Sequence, residues 1–208
     1  MAFFSDVHGH LAPLEAVLAE LARRAVVDVY AAGDHLFGGD EPHEVWLRLV
    51  GISARLARGV GDEALAAVDP SRLVPKDDAE KARLERFLAT RRAVGELVVQ
   101  RLMRLPTQVR VPLLDGSELV MVHGSPADPR QEMSHELDDE ELLALVGDDP
   151  ADIVVCGGSH VPFQRDVSGV RIVNVGSVGE APGGRVAHYT IVTPRADGTL
   201  IEQAHVEW

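Results

Sequence analysis

Residues 2–10 read Ala2-Phe3-Phe4-Ser5-Asp6-Val7-His8-Gly9-His10, and this stretch decides the fold. Ala2 to Phe4 forms a very short apolar strand that stops at Ser5-Asp6. Carboxylate and imidazole groups then crowd into the turn that follows. The Asp6-Val7-His8 spacing sets two metal-ligating side chains on one face of an extended segment, since residues two apart point the same way. A helix is expected from about Leu11 to Arg24, because Leu14, Val17, Leu18 and Leu21 recur at helical spacing.

The same grammar continues outward. Val26 to Ala32 is an apolar, β-branched run stopped by Gly33, which reads as a buried strand. Glu44 to Leu49 reads as a helix and Ile52 to Arg58 as the next strand. This alternation indicates an α/β domain. Asp77 to Leu105 is rich in Ala, Arg, Glu and Leu, with Leu84, Phe87, Leu88, Val94, Val98 and Leu102 on one helical face. Pro106 ends it. Residues 64–106 therefore read as a helical insert, an amphipathic surface helix packed over the core; a lid over an active site is the alternative. In the last third, hairpins are expected around Asp115-Gly116, Ser168-Gly169 and Asp197-Gly198. Leu137 to Val146 reads as a helix between them. The whole is a single domain, residues 1–208, built as an α/β sandwich with two sheets.

Composition narrows the function classes. A chain of 208 residues, 46% hydrophobic, can bury one sizeable core. The formal charge of −13 argues against a broad nucleic-acid or anionic-membrane footprint. It leaves phosphate chemistry open, because a bound metal supplies local positive charge. The lone cysteine, Cys156, excludes a disulfide framework and a four-cysteine zinc site. Its apolar setting suggests a buried, inert thiol. No run is long and apolar enough for a membrane span, and no secretory signal is visible. A cytoplasmic location is the expectation, and self-association is left open.

Four segments concentrate His and Asp at strand ends: Asp6-Val7-His8-Gly9-His10, Gly33-Asp34-His35, Val122-His123-Gly124 and Gly157-Gly158-Ser159-His160. Strand-end loops of an α/β sheet are where ligands bind. Imidazole with carboxylate suits Mn, Fe, Zn or Ni. His43, His135, His188 and His205 lack such a context and read as exposed or structural. Asn174 and Ser177 are expected to shape the loop near His160 through side-chain bonds to backbone.

In this order the segments resemble those of the calcineurin-like metallophosphoesterases, in the small bacterial and archaeal branch that includes phosphodiesterase-like proteins. Ser5 to His10 resembles the opening Asp-x-His-Gly-Asn motif. Gly33-Asp34 resembles the Gly-Asp motif, followed by the Gly38-Gly39-Asp40-Glu41-Pro42 loop. Arg58 to Glu63 stands where the family has Arg-Gly-Asn-His-Asp/Glu. Val122-His123-Gly124-Ser125-Pro126 resembles the lone-histidine motif, and Gly157 to Pro162 the Gly-His-Thr-His-x-Pro motif. Asn174 to Val178 resembles the closing Asn-Pro-Gly-Ser segment.

The resemblance implies an α/β/β/α sandwich and two metals bridged by an aspartate. Asp6, His8, Asp34 and His160 would hold the first ion. Asp34 would be the bridge, and His123 would be a ligand of the second ion or would position the phosphate. The substrate would be a small phosphate ester or nucleotide, a phosphomonoester or phosphodiester hydrolysed by a metal-activated hydroxide. The departures fall on the second ion's side. Val60 replaces an asparagine ligand, Gly158 a histidine ligand, and Gly61 the histidine expected to act on the phosphate. One ion is therefore expected, with the second depleted. His10, His35, Asp62 and Glu63 are the nearby substitutes. A phosphoesterase-like scaffold without catalysis, as in the retromer subunit that resembles these enzymes, is the competing expectation.

Overall fold

The computed structural model describes residues 1–208. Strand β1 (Ala2–Phe4) leads into helix α1 (Leu11–Arg23), then β2 (Val29–Ala31), α2 (Pro42–Gly51) and β3 (Arg55–Leu56). Helices α3 (Val60–Ala67) and α4 (Asp78–Met103) follow, separated by one 3-10 turn. The remainder is β4 (Gln108–Pro112), β5 (Glu118–Val122), α5 (Asp139–Val146), β6 (Ile153–Cys156), β7 (Phe163–Val167), β8 (Val170–Asn174), β9 (Val186–Thr193) and β10 (Leu200–Glu207).

Two mixed five-stranded sheets result, ordered β10-β9-β1-β2-β3 and β4-β5-β6-β8-β7. Period-two alternation explains how they stack. In β1, Phe3 faces a core shared with Tyr30, Met121, Val155 and Val173 from both sheets. Its neighbours Ala2 and Phe4 face the other way, onto a core with Leu14, Leu21 and Leu49 from α1 and α2. In β5, Leu119 and Met121 point into the inter-sheet core, while Val120 and Val122 meet Leu142 and Leu145 of α5. The layers are helix, sheet, sheet, helix, as the resemblance implied.

The three expected hairpins all form. Two strands are shorter than expected. Val26 and Val27 precede the β2 ladder, and Val27 is 83% exposed. Of Ile52 to Arg58 only Arg55 and Leu56 pair with β2. Ser53 there takes a positive φ, which ends α2 in a tight turn instead of extending the strand.

Helix α4 is two pieces. Gly95 breaks it with φ 77° and ψ 165°. Beyond the break, Val98, Val99 and Leu102 are buried against the core. Before it the helix runs out over Phe37.

Candidate metal centre

β1, β2 and β3 run parallel, as do β5, β6 and β8 in the other sheet. Their C-terminal ends therefore open on the same edge of the sandwich. The loops there are zipped together through backbone. Asp6 N–H donates to Gly33 O at 3.0 Å and His8 N–H to Asp34 O at 2.9 Å. Gly157 N–H donates to His123 O at 2.9 Å. Two positions demand glycine for this approach. A Cβ at Gly59 would overlap Asp34 Oδ1, and one at Gly157 would overlap Ser5 Oγ.

All five expected ligands come together, in two groups that share Asp6. Ligand atoms of Asp6, His8 and His160 lie within 4.8 Å of one another, and so do those of Asp6, Asp34 and His123. His8 Nε2 and His160 Nε2 are 3.2 Å apart. They stand 3.5 Å and 3.3 Å from Asp6 Oδ1, which is buried and has no hydrogen bond. The side chains do not converge by strand alternation, as the Asp-x-His spacing suggested. Asp6, His8, Asp34 and His160 instead adopt left-handed backbone, with φ between 50° and 61°. Few non-glycine residues accept that conformation, and it clusters at functional sites.

The imidazoles are oriented for ligation. His8 Nδ1 contacts Phe37 O at 2.7 Å, His160 Nδ1 contacts Glu180 O at 3.2 Å, and His123 Nδ1 contacts Ala32 O at 3.2 Å. A carbonyl oxygen only accepts, so each Nδ1 carries the proton. Each ring, once its Nε2 is free of a proton, presents a lone pair to the shared space.

Charge tells the same story. Burial disfavours ionised Asp6, but the His160 and His8 imidazoles outweigh it and hold the carboxyl far below the usual range. Burial would depress His8, yet the Asp6 carboxylate raises it to about 9. Burial pushes Asp34 up; His123 opposes this, while the Asp62 and Asp6 charges reinforce it. Buried carboxylates that draw protons onto their neighbours are suited to a cation. An orphaned Asp6 oxygen and converging Nε2 atoms fit a divalent transition ion on Asp6, His8 and His160.

The second group is poorer. Asp34 Oδ1 accepts from Gly61 N–H at 2.7 Å and lies 3.6 Å from His123 Nε2. Asp6, not Asp34, is the carboxylate common to both groups. A Cβ at Gly158 would stand 3.7 Å from His123 Nε2, so a side chain there would border this group. Glu132 borders the same gap, with Oε2 3.7 Å from that Cβ.

Three of the suggested substitutes are committed elsewhere. Asp62 is buried and accepts from Gly59 N–H and His35 N–H, both at 3.0 Å, which pins the start of α3. His35 is buried with Nε2 bonded to Ala57 O at 2.9 Å. Glu63 pairs with Arg130. His10 precedes α1 and belongs to neither ligand group. His135 and His205 are exposed, and His43 and His188 are half-buried away from the centre. Burial pushes the Cys156 thiol up, so it stays inert. Asn174 Nδ2 donates to Met133 O at 3.0 Å and Gly157 O at 2.8 Å, and Ser177 Oγ donates to Asp6 O at 2.9 Å. Both hold the loops as expected.

Glu180 is new. Its Oε2 lies 3.9 Å from His8 Nε2, and its N–H donates to Ser177 Oγ at 2.8 Å. Its position three residues beyond Ser177 was the available signal.

A family profile described as the calcineurin-like phosphoesterase superfamily domain matches residues 1–197. No protein of curated function matches the sequence. Among solved structures, a hypothetical protein from Pyrococcus horikoshii is similar at 22% identity and TM-score 0.83, over 100% of this chain and 88% of that one. A metallophosphoesterase from Sphaerobacter thermophilus is similar at 25% identity and TM-score 0.74, over 100% and 87%. Vacuolar protein sorting 29 from Cryptosporidium parvum shares the fold at 15% identity and TM-score 0.53, over 100% and 97%. With nearly its whole length accounted for by one profile, the chain belongs to the calcineurin-like phosphoesterase superfamily.

Proposed function

We propose that this chain is a metal-dependent phosphoesterase that hydrolyses a phosphomonoester or phosphodiester with one tightly held Mn, Fe, Zn or Ni ion. One observation carries the reading: three imidazoles, each fixed through Nδ1 by a backbone carbonyl, aim Nε2 at two clustered carboxylates. Asp6, His8 and His160 would hold the ion, with Asp34 beside it. When bound, the ion supplies Lewis-acid charge to a phosphate oxygen and makes water a better nucleophile near neutral pH. His123 is 4% exposed and rigidly placed, so its Nε2 can position a phosphate oxygen. Gly61 offers no acid to the leaving oxygen, so esters with good leaving groups should react best.

The test is turnover of 4-nitrophenyl phosphate and bis(4-nitrophenyl) phosphate by metal-stripped and metal-reloaded protein. Turnover should return with the ion and stay absent in Asp6→Asn. The second reading, an interaction scaffold on the same fold, is favoured by the absence of any ligating or proton-donating side chain at Val60, Gly61 and Gly158. It takes over if the reloaded protein binds its ion and hydrolyses neither ester.

A further inference from the structure

The ion-ligand cluster does not face open solvent alone. A cleft of about 300 Å³ lies against it, with His8 and Glu180 on one wall and Ala79, Ala82, Arg83 and Arg86 of α4 on the other. A second cleft of about 440 Å³ abuts the first and shares Phe37 and Arg83 with it. Its wall is mostly apolar, made by Leu73, Val74, Leu84 and Phe87, with Lys76 and Glu80 also lining it. The first half of α4 is thus both a surface helix and the wall of the approach to the site.

Arg83 and Arg86 are three residues apart, so they share one helix face. Arg83 and Arg86 are among the arginines that make no ion pair, and of these they are the ones that line the cleft beside His8. A chain of net charge −13 has acidic partners in abundance, yet these two guanidiniums line a cleft instead. The scissile phosphate is the concern of the ion-ligand cluster. Guanidiniums across the cleft from His8 suit a second anionic group, which they can grip in a bidentate fork. The apolar cleft beyond suits a flat or apolar remainder.

We propose that α4 selects the substrate: a phosphate ester with a second anionic group, held by Arg83 and Arg86, and an apolar end seated against Phe37 and Phe87. The proposal rests on the phosphoesterase reading above. Its test compares AMP with adenosine 3′,5′-bisphosphate, which differ in one phosphate, using 4-nitrophenyl phosphate to establish turnover independently. The native protein should prefer the bisphosphate by about tenfold in kcat/KM, chiefly through KM, as expected of charge-assisted bonds. In the Arg83→Ala/Arg86→Ala double variant that ratio should fall to about one, and Arg→Lys at both positions should restore only part of it. A merely structural helix would lower both rates together and keep the ratio, which would overturn the proposal. So would a native protein that hydrolyses 4-nitrophenyl phosphate yet shows no bisphosphate preference. If no ester is hydrolysed, the phosphoesterase reading fails on its own. Calorimetry with adenosine 3′,5′-bisphosphate still decides: binding lost in the double variant supports the arginine cleft, and no binding to the native protein removes it.

Discussion

At the scale of single residues, the centre depends on atoms held in uncommon conformations. Asp6 is the shared carboxylate, so Asp6→Asn and His160→Ala should each weaken metal binding. Loss of a supporting partner typically lowers affinity about 10–100-fold, and loss of a ligand should do at least as much. Competition titration against a chelator would measure it. The ion must also displace the proton that Asp6 stabilises on His8, whose pKa is about 9. Affinity should therefore climb as pH rises toward that value and level off above it. His160 is raised by the same Asp6 carboxylate, so titrations on either side would show a flat profile only if neither imidazole were a ligand. Gly157→Ala would drive a methyl group into Ser5 Oγ. It should destabilise the fold by about 1–3 kcal/mol, readable by urea unfolding. Restoring Val60→Asn, Gly61→His and Gly158→His together should add a second ion and raise turnover, while each alone does little, because ligands and acid act as a unit. Elemental analysis with kinetics checks both halves.

At the scale of elements, helix α4 is the part whose role the sequence left open. Its amphipathic face named Phe87, Val94, Val98 and Leu102, and these are buried. Leu84 and Leu88, before the break at Gly95, are only half-buried. A Cβ at Gly95 would meet open space, so its conformation alone resists substitution. Gly95→Ala should therefore lower stability by about 1–3 kcal/mol, the usual range for a residue forced into a glycine-only region. An unchanged urea midpoint would show that the break is not maintained in solution.

At the scale of the whole molecule, strand and helix order and the three hairpins were legible, because each rests on local periodicity or turn chemistry, while the α/β/β/α layering came from the family resemblance. The clustering of the five candidate ligands was legible for a different reason: each follows a strand, and parallel strands bring those ends to one edge. Strand lengths were not legible. Ser53 and the exposed Val27 look like strand residues until their tertiary partners are known. Arg83 and Arg86 were not legible because nothing in their own neighbourhood announces that they will face His8 from a distant segment, and Glu180 carried only its spacing from Ser177 as a signal. The helices include none long and apolar enough to cross a membrane.

The central claim is that one intact cluster holds the ion while its neighbour is depleted. Anomalous diffraction from crystals grown with manganese measures this directly. A single strong peak bonded to Asp6, His8 and His160 is the predicted result. A strong peak at Asp34 and His123, alone or beside the first, or no bound ion at all, would contradict it.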